Sequence, residues 1–186
     1  MAGTLVKRLD FSGGREFSVV IYDLLHEPVD CIVNAANSGL SHGGGVAAAI
    51  SKAAGPNLDD ECDLIIKQRG RIPVGEAVAT TAGNLPFKGV IHAVGPRMGD
   101  GEEENKIASA LKSSFLKAHE NGWSSLSFPG ISSGIFSVPH PVCAQAYVRA
   151  VREFFDEYPE SSLKTIRLCL FKGPLLEAAA QELEKS

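Results

Sequence analysis

A chain of 186 residues, 44% hydrophobic and 22% charged, carries enough apolar surface for one ordinary globular domain, expected over 1–186 with its core in about 16–185. The formal net charge of −4 lacks the basic excess of a nucleic-acid binder, and no apolar run approaches membrane-spanning length. Four scattered cysteines (Cys31, Cys62, Cys143, Cys169) form no Cys-x-x-Cys pair and have no histidine at zinc spacing; reduced buried thiols at Cys31 and Cys169, a cytosolic or nuclear setting and no metal are expected.

The first residues, Met1 to Arg8, carry charge with no signal-type apolar stretch behind them, which leaves secretion unsupported. Glu16 to Tyr22 is rich in β-branched and aromatic residues and predicts a strand that stops at Asp23. Asp30 to Ala36 has no polar alternation at its centre, the pattern of a strand covered on both faces. After the run Asn37 to Gly45 come a helix from about Val46 to Ala54, a Gly55-Pro56 stop, and a second helix from about Asn57 to Gln68. Arg71 to Gly75 reads as a loop, Glu76 to Thr81 as a half-exposed strand and Val90 to Val94 as a buried one. An acidic loop, Gly99 to Glu104, leads to a helix from about Asn105 to Glu120 that Asn121-Gly122 ends. The strand Ser125 to Phe128, the loop Pro129 to Phe136 and a helix from about Pro141 to Glu157 come next. Lys164 to Leu170 is the last strand, and a helix from about Pro174 to Glu184 closes the chain. Such alternation predicts a three-layer α/β/α sandwich around a mixed, largely parallel sheet.

Val33 to Ile50 carries the chemistry: a buried strand end, a polar loop, Gly43-Gly44-Gly45, and the first turns of an alanine-rich helix. Glycines without a Cβ permit positive φ and let main chain lie against a ligand. A helix starting there offers unpaired N–H groups and a positive dipole end, which suits an anion and above all a diphosphate. Asn34 and Asn37 bring neutral amides suited to ribose hydroxyls, Asn34 being the more structural of the two. A second glycine-containing loop, Gly130 to Phe136, also comes directly after a strand, so both loops are expected at one sheet edge, where open α/β sheets bind ligands. His92, inside an apolar strand, reads as a hydrogen-bonded core histidine, and His119 and His140 as surface and loop residues. The consecutive glycines do not match Gly-x-Gly-x-x-Gly, and Ser132-Ser133-Gly134 lacks the Gly-x-Ser-x-Gly elbow. A redox dinucleotide site and a serine hydrolase are therefore disfavoured, and no close His/Cys/carboxylate set stands out for a metal.

Four motifs in order, Asn34-Ala35-Ala36-Asn37, His42-Gly43-Gly44-Gly45-Val46-Ala47, His92-Ala93-Val94-Gly95-Pro96 and Ser132-Ser133-Gly134-Ile135-Phe136, give a chain that resembles the macrodomain family from about Phe17 to the last helix. The His-Gly-Gly-Gly-Val-Ala form is similar to archaeal and viral macrodomains and to those embedded in large mono-ADP-ribosyltransferases, which leaves open both a module of a longer protein and a free-standing domain. The resemblance implies ADP-ribose as ligand, with no cofactor, and ADP-ribosylated proteins as partners of a monomer that engages neither membrane nor nucleic acid. It implies that Asp23, with Leu24 beside it, accepts from the adenine amino group and that Phe171 stacks on the ring. The N–H groups of Gly44, Gly45 and Val46 are implied to hold one phosphate and the loop Ser132, Ser133, Gly134, Ile135 and Phe136 the other. Asn37, His42, Gly43 and Phe136 are implied at the distal ribose, where an ester to a protein Asp or Glu would be hydrolysed. Some hydrolytic relatives place an aspartate where this chain has Ala47, so hydrolysis here would rest on positioning, with His42 tuning it by hydrogen bonds. A non-catalytic reader of ADP-ribosylated proteins is the alternative.

Overall fold

The structure, a computed structural model, describes residues 3–185. Seven strands, β1 (Thr4–Phe11), β2 (Arg15–Ile21), β3 (Cys31–Ala36), β4 (Ala77–Thr80), β5 (Gly89–Val94), β6 (Ser125–Phe128) and β7 (Thr165–Leu170), form one sheet in the order β1-β2-β7-β6-β3-β5-β4. The five strands β2, β7, β6, β3 and β5 run parallel, and only the outermost pairs β1·β2 and β4·β5 are antiparallel. Helices α1 (Gly45–Ala54) and α2 (Pro56–Arg69) cover one face; α3 (Glu103–Glu120), α4 (His140–Glu157) and α5 (Pro174–Glu184) cover the other.

The apolar runs of β3 and β5 result from that double cover. Cys31, Val33, Ile91 and Ala93 pack toward α3 and α4, whereas Ile32, Ala36, Val90 and Val94 pack toward α1 and α2. Side chains alternate between faces, so burial on both favours an apolar string, broken here only by the buried, mutually hydrogen-bonded Asn34 and His92. All four cysteines are buried free thiols, pushed up from the usual thiol range by their surroundings.

Three expectations need correction. Thr4–Phe11, given no element from sequence, is the edge strand β1, with Val6, Leu9 and Phe11 on the core while Arg8 and Asp10 face out. Its Lys7 and Arg8 and a register break between Leu5 and Lys7 blur the period-2 pattern, as charges and bulges on edges do. The strand at 76–81 is shorter, Ala77–Thr80, and mainly buried, because α2 and α3 pack on it. His140, expected in a loop, is the first residue of α4.

Tyr147 of α4 ties this helix to the loop after β6. Its hydroxyl, fully buried, accepts from Ile131 N at 2.7 Å and donates to Ile131 O at 2.6 Å. Tyr147→Phe leaves both groups of Ile131 without that partner and should lower the unfolding free energy in urea by about 1–3 kcal/mol; an unchanged midpoint would show that the loop is held by other means.

Candidate functional site

Because the five central strands are parallel, their carboxyl ends share one edge, and the segments leaving those ends meet there. Asp23 comes after β2, Phe171 after β7, residues 129–137 after β6, residues 37–45 after β3, and Gly95 to Arg97 after β5. From β3 the chain turns to α1 on one face; from the neighbouring β6 it turns to α4 on the other. A reversal between adjacent strands opens a crevice between their loops, the place where such sheets take ligands.

Main chain lines this crevice. Helix α1 starts at Gly45, no side chain caps it, and the bond from Ala48 N to Gly44 O at 3.3 Å begins its ladder. The N–H groups of Gly45, Val46 and Ala47 therefore point out of the helix, where they and the dipole favour an anion. Among the three glycines only Gly45 has positive φ (58°), while Gly44 is extended. A Cβ at Gly43, Gly44 or Gly45 would meet nothing within 4 Å, so Gly43 and Gly44 serve by leaving the loop surface bare. In the second loop Val138 N donates to Ser132 O at 3.0 Å and Ser137 N to Gly134 O at 2.9 Å. Among the described residues, the N–H groups of Ser133, Gly134, Ile135 and Phe136 donate to no protein acceptor. Ser132 takes φ +64°, and a Cβ on Gly95 would run into its Oγ, so Gly95 lets β5 and this loop approach closely.

Side chains mark the two ends. Asp23 Oδ1 accepts from Leu25 N at 3.0 Å and Oδ2 faces His26 Nδ1 at 3.2 Å. Glu27, fully buried, anchors this corner by accepting from Ser127 Oγ (2.7 Å) and Arg167 Nε (2.9 Å). Sequence reasoning missed Glu27; a carboxylate flanked by Pro28 gives no local sign of burial. Leu24 was expected at the ligand, but its side chain packs into the core, leaving only its backbone near the edge. Phe171 is 73% exposed and Ile135 96% exposed, large apolar groups left bare at the crevice. At the other end Asn37 holds Ser41, donating from Nδ2 to Ser41 O at 3.0 Å and accepting from Ser41 N at 3.0 Å. Phe136 lies under the Arg97 guanidinium, 4.9 Å from its ring centre, and its carbonyl accepts from Met98 N at 2.8 Å.

His42 is the main departure from expectation. Its side chain, 7% exposed, turns inward beside His92 (ring centres 5.7 Å apart) and toward Asp59. Both of its ring nitrogens are buried without a hydrogen-bond partner, so in this conformation the ring makes no hydrogen bond toward the crevice. His92 is the expected core histidine: Asn34 Nδ2 donates to its Nδ1 at 3.0 Å, and its Nε2 lies 2.9 Å from Thr80 Oγ1. Burial, reinforced by His42, pushes His92 down to about 3, so it is neutral at physiological pH. Cys62 completes a cluster with both histidines that sequence spacing did not reveal.

The fold and this edge define an α/β domain whose loops after β3 and β6 carry unclaimed main-chain N–H groups, with Ile135 and Phe171 exposed beyond them. Residues 33–147 match the profile of the Macro domain, and the chain belongs to that family. It is 44% identical to an O-acetyl-ADP-ribose deacetylase of Escherichia fergusonii over 73% of this chain and 78% of that one. It is also 44% identical to a protein of Thermotoga maritima over 88% of this chain, yet spans only 27% of that relative's length. The Oceanobacillus iheyensis macrodomain solved with ADP superposes with a TM-score of 0.88 at 28% identity, covering 96% of each chain.

Phe171 is 73% exposed, so Phe171→Ala should leave the unfolding free energy in urea within about 0.5 kcal/mol of the unsubstituted chain; a larger loss would show that the ring packs against the protein.

Proposed function

We propose that the chain binds ADP-ribose along this edge and hydrolyses the ester joining mono-ADP-ribose to Asp or Glu side chains of proteins. The observation that carries this reading is the pair of facing N–H sets, Gly45 to Ala47 and Ser133 to Phe136, unclaimed by the protein and left open on neighbouring strands. Two such N–H sets offer one nest to each phosphate of a diphosphate, where a lone phosphate would use only one. Asp23 and Phe171 sit over β2 and β7, on one side of those loops, and provide a carboxylate and a ring for adenine. Asn37 and Phe136 lie toward β3 and β5 and receive the distal ribose. A relative named for O-acetyl-ADP-ribose deacetylation, and a fold match solved with ADP, support both the ligand and an ester substrate.

Ala47, buried at the helix start, offers no acid or base, and His42 faces inward. Catalysis is then positional: a substrate phosphate oxygen and loop main chain hold a water against the ester. Water adds across the bond, leaving a protein carboxylic acid and a ribose hydroxyl. The same lack of an acid–base side chain at the ribose favours a second reading, a reader that binds without turnover.

A time course on a protein mono-ADP-ribosylated at Glu should show loss of label faster than the blank, slowed about tenfold or more by Asn37→Ala. Loss at the blank rate, with ADP-ribose affinity intact, selects the reader. Gly44→Glu places a carboxylate in the phosphate position and should abolish ADP-ribose binding; normal affinity in that variant would remove the phosphates from the glycine loop.

A further inference from the structure

We propose that His42, Cys62 and His92 form a zinc site beneath the first crevice loop, independent of the nucleotide reading. One donor comes from each of three elements, the loop ahead of α1, helix α2 and strand β5, and the three ligand atoms lie within 4.8 Å of one another. Cys62 Sγ and His92 Nε2 are 3.7 Å apart, close to the roughly 3.6 Å that Zn–S and Zn–N bonds impose at a tetrahedral angle. Cys62 and His92 are fully buried and the His42 ring nearly so.

A second observation points the same way. Buried polar atoms are paired in native proteins, yet both nitrogens of His42 have no partner, and neither has Asn34 Oδ1 beside His92. In the metal-free arrangement Asn34 Nδ2 donates to His92 Nδ1, so the proton sits on Nε2 and is given to Thr80 Oγ1, which itself donates to Thr81 O. With the Asn34 amide turned over, Oδ1 accepts from Nδ1–H and the Nε2 lone pair is free for an ion. That is the usual arrangement behind a ligand histidine, whose far nitrogen donates to a fixed acceptor. Asp59, held by Ser51 Oγ at 2.7 and 2.8 Å, lies 3.7 Å from His42 Nε2 and gives the second ring an outer carboxylate.

One thiolate with two imidazoles selects zinc over magnesium or calcium, which need oxygen donors. On binding, the Cys62 S–H bond breaks, its electron pair goes to the ion and its proton to solvent. The His92 proton moves from Nε2 to Nδ1 with no net change, so about one proton leaves per ion. A free cysteine keeps most of its thiol proton at neutral pH, so the release accompanies binding. An ion here would pin His42, and with it the adjoining glycines, to α2 and β5.

The test uses the whole chain stripped with a chelator and titrated with cobalt, then with zinc against a chromophoric chelator. Expected are binding of one ion per chain, a sulfur-to-cobalt charge-transfer band, its loss on adding zinc, and proton release seen by calorimetry in buffers of different ionisation enthalpy. Cys62→Ala and His42→Gln should each weaken zinc by at least about tenfold, with a thermal melt confirming that the variant is folded. Where one variant fails to fold the other decides, and where neither folds the thiolate band on the unsubstituted chain decides. Absence of that band, or equal zinc affinity in a folded variant, overturns the site.

Discussion

Everything at the crevice depends on the parallel register of β3 between β5 and β6. Cys31 stands opposite both Gly89 and Leu126, and the pairing with β5 runs on to Ala36 opposite Val94. The next residues, Asn37 and Gly95, therefore leave the sheet side by side. The loop after β6 closes over them, and the steric meeting of Gly95 with Ser132 permits no side chain between them. Parallel strands release their chains at a common edge, and helices crossing to opposite faces force those chains apart. The crevice is thus a consequence of topology before any side chain contributes.

The two loops present main chain where other sites present charged side chains. An uncapped α1 gives up the roughly 0.5–2 kcal/mol a cap supplies, and the second loop holds non-glycine residues at positive φ, Ser132 and Ser137. Such features are tolerated where surrounding structure over-determines them. Here Tyr147 grips Ile131, Met98 N binds Phe136 O, and Asn37 staples its own loop through Ser41. Rigid scaffold behind, exposed N–H groups in front: the loops hold unclaimed donors in place without help from a ligand. The same logic applies around Asp23, since Glu27 with Arg167 and Ser127 fixes the segment that carries it.

Much of this was legible in the sequence, for identifiable reasons. Buried parallel strands are continuous apolar runs, so β3 and β5 and the residues just beyond them stood out. Consecutive glycines before an alanine-rich helix marked the first loop without any knowledge of its partners. The edge strand β1 was lost because its Lys7 and Arg8 interrupt the alternation that would betray it. Rotamer direction was also beyond reach: His42 beside glycines suggests a ligand contact, but packing against His92 decides that the ring points inward. The apolar side chain of Leu24 is likewise drawn into the core, which leaves its backbone at the edge. The meeting of residues 42, 62 and 92 requires a loop, a helix and a strand to be placed in space, which no spacing rule encodes.

The central claim is that protein main chain at two neighbouring loops holds the diphosphate. Backbone amide NMR shifts during titration with ADP-ribose address it most directly, since each N–H reports its own surroundings. The largest shifts are expected at Gly45 to Ala47 and Ser133 to Phe136, with smaller ones at Asp23 and Phe171. Shifts concentrated instead in the groove between α3 and α4, around Ser109, Lys112 and Arg149, with both loops unperturbed, would contradict it.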